Sequence, residues 1–146
     1  MARQRPLLNQ VDIIVKDMDA AVAFYRRLGI EVPDATPPWD QLHRETVTAG
    51  DIVLHLDHVD HTLEWNRGWP GSAGSGACVI GFGFGSRDEV DRVYADLIEA
   101  GYRGQQEPWD AFWGARYAVI QDPDGNAIGM MSPSDPARRT TPAPPS

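Results

Sequence analysis

The chain has 146 residues, enough for one domain that buries about two thirds of its unfolded surface. Its 21 acidic against 13 basic residues leave a net charge of −8, which argues against nucleic acid or an anionic membrane as partner and leaves room for a cationic ligand. Cys78, the one cysteine, excludes an intrachain disulfide, and its apolar surroundings predict a buried, inert thiol. No apolar run is long enough to span a bilayer, and none follows the basic start Met1-Ala2-Arg3-Gln4-Arg5-Pro6 as a signal peptide requires, so a cytoplasmic location is expected.

In chain order, Val11, Ile13 and Val15 alternate with Asp12 and Ile14, which predicts a strand. Asp17 stands where an N-cap carboxylate accepts from first-turn amides. Met18, Ala21, Val22, Phe24, Tyr25 and Leu28 then form an apolar stripe at helical spacing, closed by Gly29. After Pro33, Pro37 and Pro38, two strands are predicted over 41–48 and 52–59, joined at Ala49-Gly50. A three-residue loop there sets Glu45 opposite His55; a two-residue loop sets Arg44 there instead.

Gly71, Gly74 and Gly76 read as a flexible link; without a Lys-Ser/Thr ending or a following helix they do not make a phosphate loop. A strand is predicted over 77–84. Ser86-Arg87-Asp88-Glu89 is a capping box ahead of a stripe of Val90, Val93, Tyr94, Leu97 and Ile98, ended by Gly101. A short segment from Tyr102 and a tryptophan-bearing loop follow. Asp122-Pro123-Asp124-Gly125-Asn126 then makes a tight turn between strands over 117–121 and 127–131: proline sets φ, and Gly125 takes the positive φ that closes the hairpin. The same order of elements appears twice, so the prediction is α+β, with two β-α-β-β-β modules over about 7–60 and 77–132. The domain is expected over 6–133, with a Pro-rich disordered tail over 134–146.

Two motifs carry a resemblance: Val15-Lys16-Asp17 through Phe24-Tyr25-Arg26-Arg27-Leu28-Gly29, and the Asp122–Asn126 turn. In this order they resemble the vicinal oxygen chelate superfamily of glyoxalase I, extradiol dioxygenases, fosfomycin-resistance enzymes and bleomycin-binding proteins. The resemblance implies two modules curled into a partly open barrel around a ligand cavity, often completed in a homodimer. It also implies a divalent metal held by side chains from the first and last strand of each module. Those places fall on Gln10, His55, Val79 and Gly129. Valine has no donor atom and glycine no side chain, so the inherited centre is incomplete and no metal is expected there; Gln10 and His55 alone would hold an ion weakly. A rebuilt set of His43, Glu45, His55 and Asp57 exists only in the register that sets Glu45 opposite His55.

Strand alternation places Asp12 beside Gln10 on the cavity side, so Asp12, Asp57 and Glu45 would make an acidic interior needing a cationic ligand or an internal partner, Arg44 or Arg116. Five tryptophans, Trp39, Trp65, Trp69, Trp109 and Trp113, fall in or beside predicted loops, where flat rings suit stacking, a dimer interface or plugging of the barrel ends. The residues expected to meet a ligand are therefore Gln10, Asp12, Trp39, His43, His55, Asp57, Trp109, Trp113 and Arg116. The leading functional expectation is metal-independent binding of a bulky aromatic or cationic molecule, similar to bleomycin-resistance proteins. The alternatives are a glyoxalase-type lyase, isomerase or dioxygenase with metal rebuilt around His55, and a metal-free acid–base enzyme using His55 or His43 oriented by Asp57. A Ser–His–Asp hydrolase is set aside, because no Gly-x-Ser-x-Gly elbow occurs.

Overall fold

Aspartate before a helix and glycine after it do as their chemistry dictates. Asp17 accepts the Ala20 amide at 3.0 Å and opens α1 (Met18–Leu28), whose stripe of Met18, Ala21, Val22, Phe24, Tyr25 and Leu28 is buried; Gly29 closes it at φ 110°. The structure, a computed structural model, describes residues 8–71 and 78–140. The chain divides into two compact units, Met1–Gly74 and Ser75–Ser146.

The first unit contains β1 (Gln10–Val15), α1, α2 (Trp39–Leu42), β2 (His43–Glu45), β3 (Val53–His58) and α3 (Val59–Trp65). Its sheet has the order β1-β3-β2, with β1 parallel and β2 antiparallel to β3. The β-α-β-β-β pattern calls for one more strand between α1 and β2, and there the structure has a single bridge from Glu31 to Val47. Pro33, Pro37 and Pro38 follow at once and remove the amides a longer strand would need.

The second unit has the full set: β4 (Val79–Gly83), α4 (Arg87–Glu99), β5 (Gly104–Asp110), β6 (Arg116–Gln121) and β7 (Ala127–Met131), ordered β4-β7-β6-β5 with β4 parallel to β7. Ser86 caps α4 through the Glu89 amide at 3.1 Å, while the Glu89 carboxylate accepts from Gly85 one residue before the cap. The Asp122 carboxylate takes the amides of Asp124 and Asn126 at 2.9 and 2.8 Å, and Gly125 has φ 83°. The fold is thus α+β with two sheets, of three and four strands, neither closed into a barrel. Among the described residues no helix is long and apolar enough to cross a membrane.

Several expectations need correction. The segment 41–48 begins in α2 and carries only three strand residues, and α3 follows β3 directly; both helices are too short for a periodic stripe to announce them. Trp39, Trp65 and Trp109 fall in α2, α3 and β5, each at or one residue from an end of its element and so beside a loop rather than in one. Cys78 is exposed, one residue ahead of β4. Residues 135–140, expected within a disordered tail, are held: Asp135 donates to Gly114 at 3.0 Å and Thr140 to Phe112 at 2.8 Å, with a 3-10 turn at Pro136–Arg138. Backbone pairing to a neighbouring loop, which composition does not register, holds these residues. The expected link glycines Gly74 and Gly76 lie outside the described residues.

Each sheet has one face under its helix and one face turned away from it. In the first unit Ile13, Val15, Leu54 and Leu56 are buried on the α1 side. Alternation then puts Gln10, Asp12, His55, Asp57, His43 and Glu45 together on the other face. In the second unit Ala118, Ile120, Ile128 and Met130 are buried on the α4 side, and the far face carries Val79, Gly81, Gly83, Tyr117 and Gly129.

Candidate functional site

The polar face of the first unit is assembled by two registers. Pairing of β1 with β3 sets Asp12 against His55, and pairing of β2 with β3 sets His43 against Asp57 and Glu45 against His55. This is the one of the two loop registers in which a rebuilt donor set exists.

His43 is the hub. Its Nδ1 lies 2.7 Å from Oδ1 of Asp57, and its Nε2 lies 3.4 Å from Oε1 of Glu45. The same Glu45 oxygen is 3.9 Å from Nδ1 of His55, and the His43 and His55 rings are 5.3 Å apart. Asp57 is only 2% exposed, so its carboxylate depends on these partners for solvation. α3 brings His61 in from the side, its ring centre 6.2 Å from that of His43 and 5.6 Å from that of Trp39, edge to face in both pairs. His58, on the helix side, serves the local backbone instead. Its Nδ1 accepts the Asp60 amide to cap α3, and its Nε2 donates to the Lys16 carbonyl.

Electrostatics follow from this crowding. Burial holds the Asp12 carboxyl above its ordinary range, reinforced by a hydrogen bond to Asp57 and that carboxylate's charge, while His55 and His43 pull the other way. Burial opposes the charged form of His43, yet the hydrogen bond and charge of Asp57, then those of Glu45, outweigh it, so His43 titrates above an ordinary histidine. The partner of the acidic face is therefore histidine and not arginine. Arg44, one of the two arginines expected to serve, is buried on the opposite side, donating to the carbonyls of Pro33 and Asp40.

The second unit differs in kind. Trp113, in the turn between β5 and β6, meets Trp109, Phe112 and Tyr117 edge to face at 5.8, 5.1 and 5.2 Å. Its indole Nε1 is buried without a hydrogen-bond partner. Tyr117 leans over Gly129: a Cβ built there would lie 2.8 Å from the tyrosine Oη and 3.3 Å from Val79 Cγ1. Nothing lies within 4 Å of a Cβ built at Gly81 or Gly83, so the floor beside Tyr117 is flat backbone. Arg116 is not on this face. It points to α4 and pairs with Asp91 at 2.8 Å and Asp110 at 3.2 Å, where Asp110 also pairs with Arg87.

Sequence reasoning placed Gln10, Asp12, His43, His55 and Asp57 on one face, and the structure brings them together, Gln10 at the exposed end of β1. Trp39 stands at the margin through His61, and Trp109 and Trp113 share one cluster. Two further residues join these groups. His61 reaches the polar face only through α3, a helix too short for a periodic stripe to announce. Tyr117 was within reach: the turn pairs Gln121 with Ala127, so counting back by twos sets Tyr117 on the face of Gly129. A cleft of about 320 Å³ on the helix side, lined by Asp19, Arg26, Asp34 and Asp40 among others, contains none of these residues.

Residues 7–130 match the family described as the Glyoxalase/Bleomycin resistance protein/Dioxygenase superfamily. The chain belongs to that superfamily. No curated protein matches the sequence. Among solved structures, the superfamily fold is shared with a glyoxalase-related enzyme from Fulvimarina pelagi at 17% identity and TM-score 0.73, over 87% of this chain and 88% of that one. A family enzyme from Burkholderia phytofirmans matches at 21% identity and TM-score 0.70, over 86% and 97%. A lactoylglutathione lyase from Agrobacterium tumefaciens matches at 20% identity and TM-score 0.64, over 89% and 96%. At such identities the likeness speaks for the fold alone.

The second unit's share of the superfamily's metal donors is missing here. Val79 offers no donor, Gly129 offers no side chain, and a Cβ at 129 would meet the Tyr117 Oη at 2.8 Å.

Proposed function

We propose that the protein binds and sequesters a bulky aromatic or cationic small molecule, in the manner of the superfamily's bleomycin-resistance members, and that this binding does not need a metal ion. One observation carries the reading: the ring of Tyr117 stands where the second module's last-strand donor belongs. A tyrosine over a glycine floor, beside Trp109 and Trp113, suits contact with a flat apolar body. In the first unit, taken by itself, the carboxylates of Asp12, Glu45 and Asp57 suit a positive group. On this reading the working form is a cytoplasmic homodimer, as is frequent in the superfamily.

The test is fluorescence titration of EDTA-treated protein with proflavine, a planar cationic dye. Saturable tryptophan quenching is expected, and Trp109→Leu, at a ring 37% exposed, is expected to weaken it about tenfold, a loss of about 1.4 kcal/mol. Quenching that appears only after divalent metal is restored sinks the reading. The alternative, a glyoxalase-type lyase, isomerase or dioxygenase, needs donors outside the inherited set, and among the described residues the groupings suited to a metal ion all lie in the first unit.

A further inference from the structure

From the polar face of the first unit we infer that this unit alone holds a zinc-type divalent ion, through His43 Nε2, Glu45 Oε1 and His55 Nδ1. The inference goes beyond the container reading: two of the three donors lie on β2, a strand the inherited centre does not use, and an ion there would compete with a cationic ligand for the same carboxylates.

Three features converge on these atoms. The first is spacing. Bonds of about 2.0–2.2 Å to a tetrahedral ion set neighbouring donors about 3.3–3.6 Å apart. His43 Nε2 and Glu45 Oε1 stand at 3.4 Å and His55 Nδ1 and Glu45 Oε1 at 3.9 Å, and each of the three residues offers a donor atom within 4.8 Å of those of the other two. Glu45 is 66% exposed at its side chain, so it has freedom to close the longer gap.

The second feature is the tautomer of His43. Nδ1 faces the buried Asp57 carboxylate at 2.7 Å and must carry the hydrogen. Nε2 is then a lone pair directed at a carboxylate oxygen, and two acceptors face each other favourably only around a cation, a proton or a metal ion. A ligand histidine whose other nitrogen donates to a carboxylate is the usual second layer of a metal site.

The third is charge. Glu45, Asp12 and Asp57 crowd one face, with histidines as their only counterparts described there. A divalent ion stabilises all three carboxylates, and borderline nitrogen and oxygen donors favour zinc, nickel or copper over magnesium or calcium. Three protein donors leave a fourth position for water or a ligand atom.

A competing set, His43, Asp57 and His61, has the same compactness. It would take Asp57 from its hydrogen bond with His43, a contact that the set with Glu45 and His55 leaves in place.

The experiment is calorimetric titration of tag-free, EDTA-treated protein with ZnCl2, and with CoCl2 monitored by visible absorption. One equivalent per chain is expected, with tetrahedral cobalt bands. Glu45→Gln and His55→Ala are expected to abolish stoichiometric uptake. Asp57→Asn is expected to weaken zinc about 10- to 100-fold while circular dichroism stays unchanged. Gln10→Ala and His61→Ala are expected to bind zinc as the parent does. Absence of stoichiometric zinc, or zinc retained in Glu45→Gln but lost in His61→Ala, overturns the inference. Proflavine binding measured on the same EDTA-treated samples reports on the container reading separately, so either can fail alone.

Discussion

The two sheets face away from their helices with opposite chemistries. In the first unit that face carries Asp12, His43, Glu45, His55 and Asp57; in the second the positions that match by register carry Gly81, Tyr117, Val119, Gly129 and Met131. Topology is shared, since both units set their first strand parallel to their last. The difference teaches that a repeated fold fixes where a side chain points but not what it does there. One copy has gathered ionisable groups that solvate one another through His43. The other has given up donor atoms for aromatic surface and bare backbone.

Removing the keystone of the aromatic face should have the largest effect. Trp113 touches three rings, and its truncation to alanine leaves a void bounded by Trp109, Phe112 and Tyr117. Trp113→Ala is expected to cost about 3 kcal/mol, read by urea denaturation, whereas truncating the polar hub by His43→Ala should cost about 1 kcal/mol. Equal losses at the two positions would erase the energetic contrast between the faces.

A smaller effect tests why the second unit lost its anchor. Gly129→Glu returns a carboxylate to the last strand, where its Cβ meets Tyr117 and Val79. The variant is expected to lose about 1–3 kcal/mol, and Tyr117→Ala in the same chain to recover about half of that. Recovery would show that Tyr117 and a donor at 129 exclude each other. If Gly129→Glu is as stable as the parent, the tyrosine is a bystander.

Much of this was legible in the chain. Asp17, Gly29, Ser86 and Gly125 are local signals acting through a single hydrogen bond or a single φ, and each does in the structure what its chemistry implies. The polar face followed from strand parity, with one ambiguity: the length of the Ala49-Gly50 connection, on which depended whether Glu45 or Arg44 faced His55. What escaped was of longer range. Two short helices, α2 and α3, carry Trp39 and His61 to the polar face and have no periodicity to reveal them. Residues 135–140 are held by backbone pairing with the loop of Phe112 and Gly114, which their composition does not announce. Charge alone suggests Arg116 for the acidic interior, while hairpin parity sets it on the face opposite Tyr117 and Gly129, where the structure pairs it with Asp91 on α4.

The smallest expected effect sharpens the comparison through pH. His43 titrates above its unfolded value, because Asp57 and Glu45 favour its charged form more strongly than burial opposes it. The folded state therefore binds the proton more tightly than the unfolded chain. Its contribution is fully present below the unfolded histidine value of about 6.5 and is lost as pH rises through the folded value. Asp12 has the same sign for the same reason, in the acid range: raised above 3.8, it favours folding at low pH and ceases to do so as it ionises. In EDTA-treated protein, the difference in Tm between the parent and His43→Gln should shrink from about pH 6 to pH 9. The same experiment on Trp113→Leu should give a difference that does not change with pH, because no titratable group on that side has been altered. A His43→Gln difference that stays flat would mean that His43 holds no extra proton in the fold, and the polar face would then be a set of hydrogen bonds and nothing more.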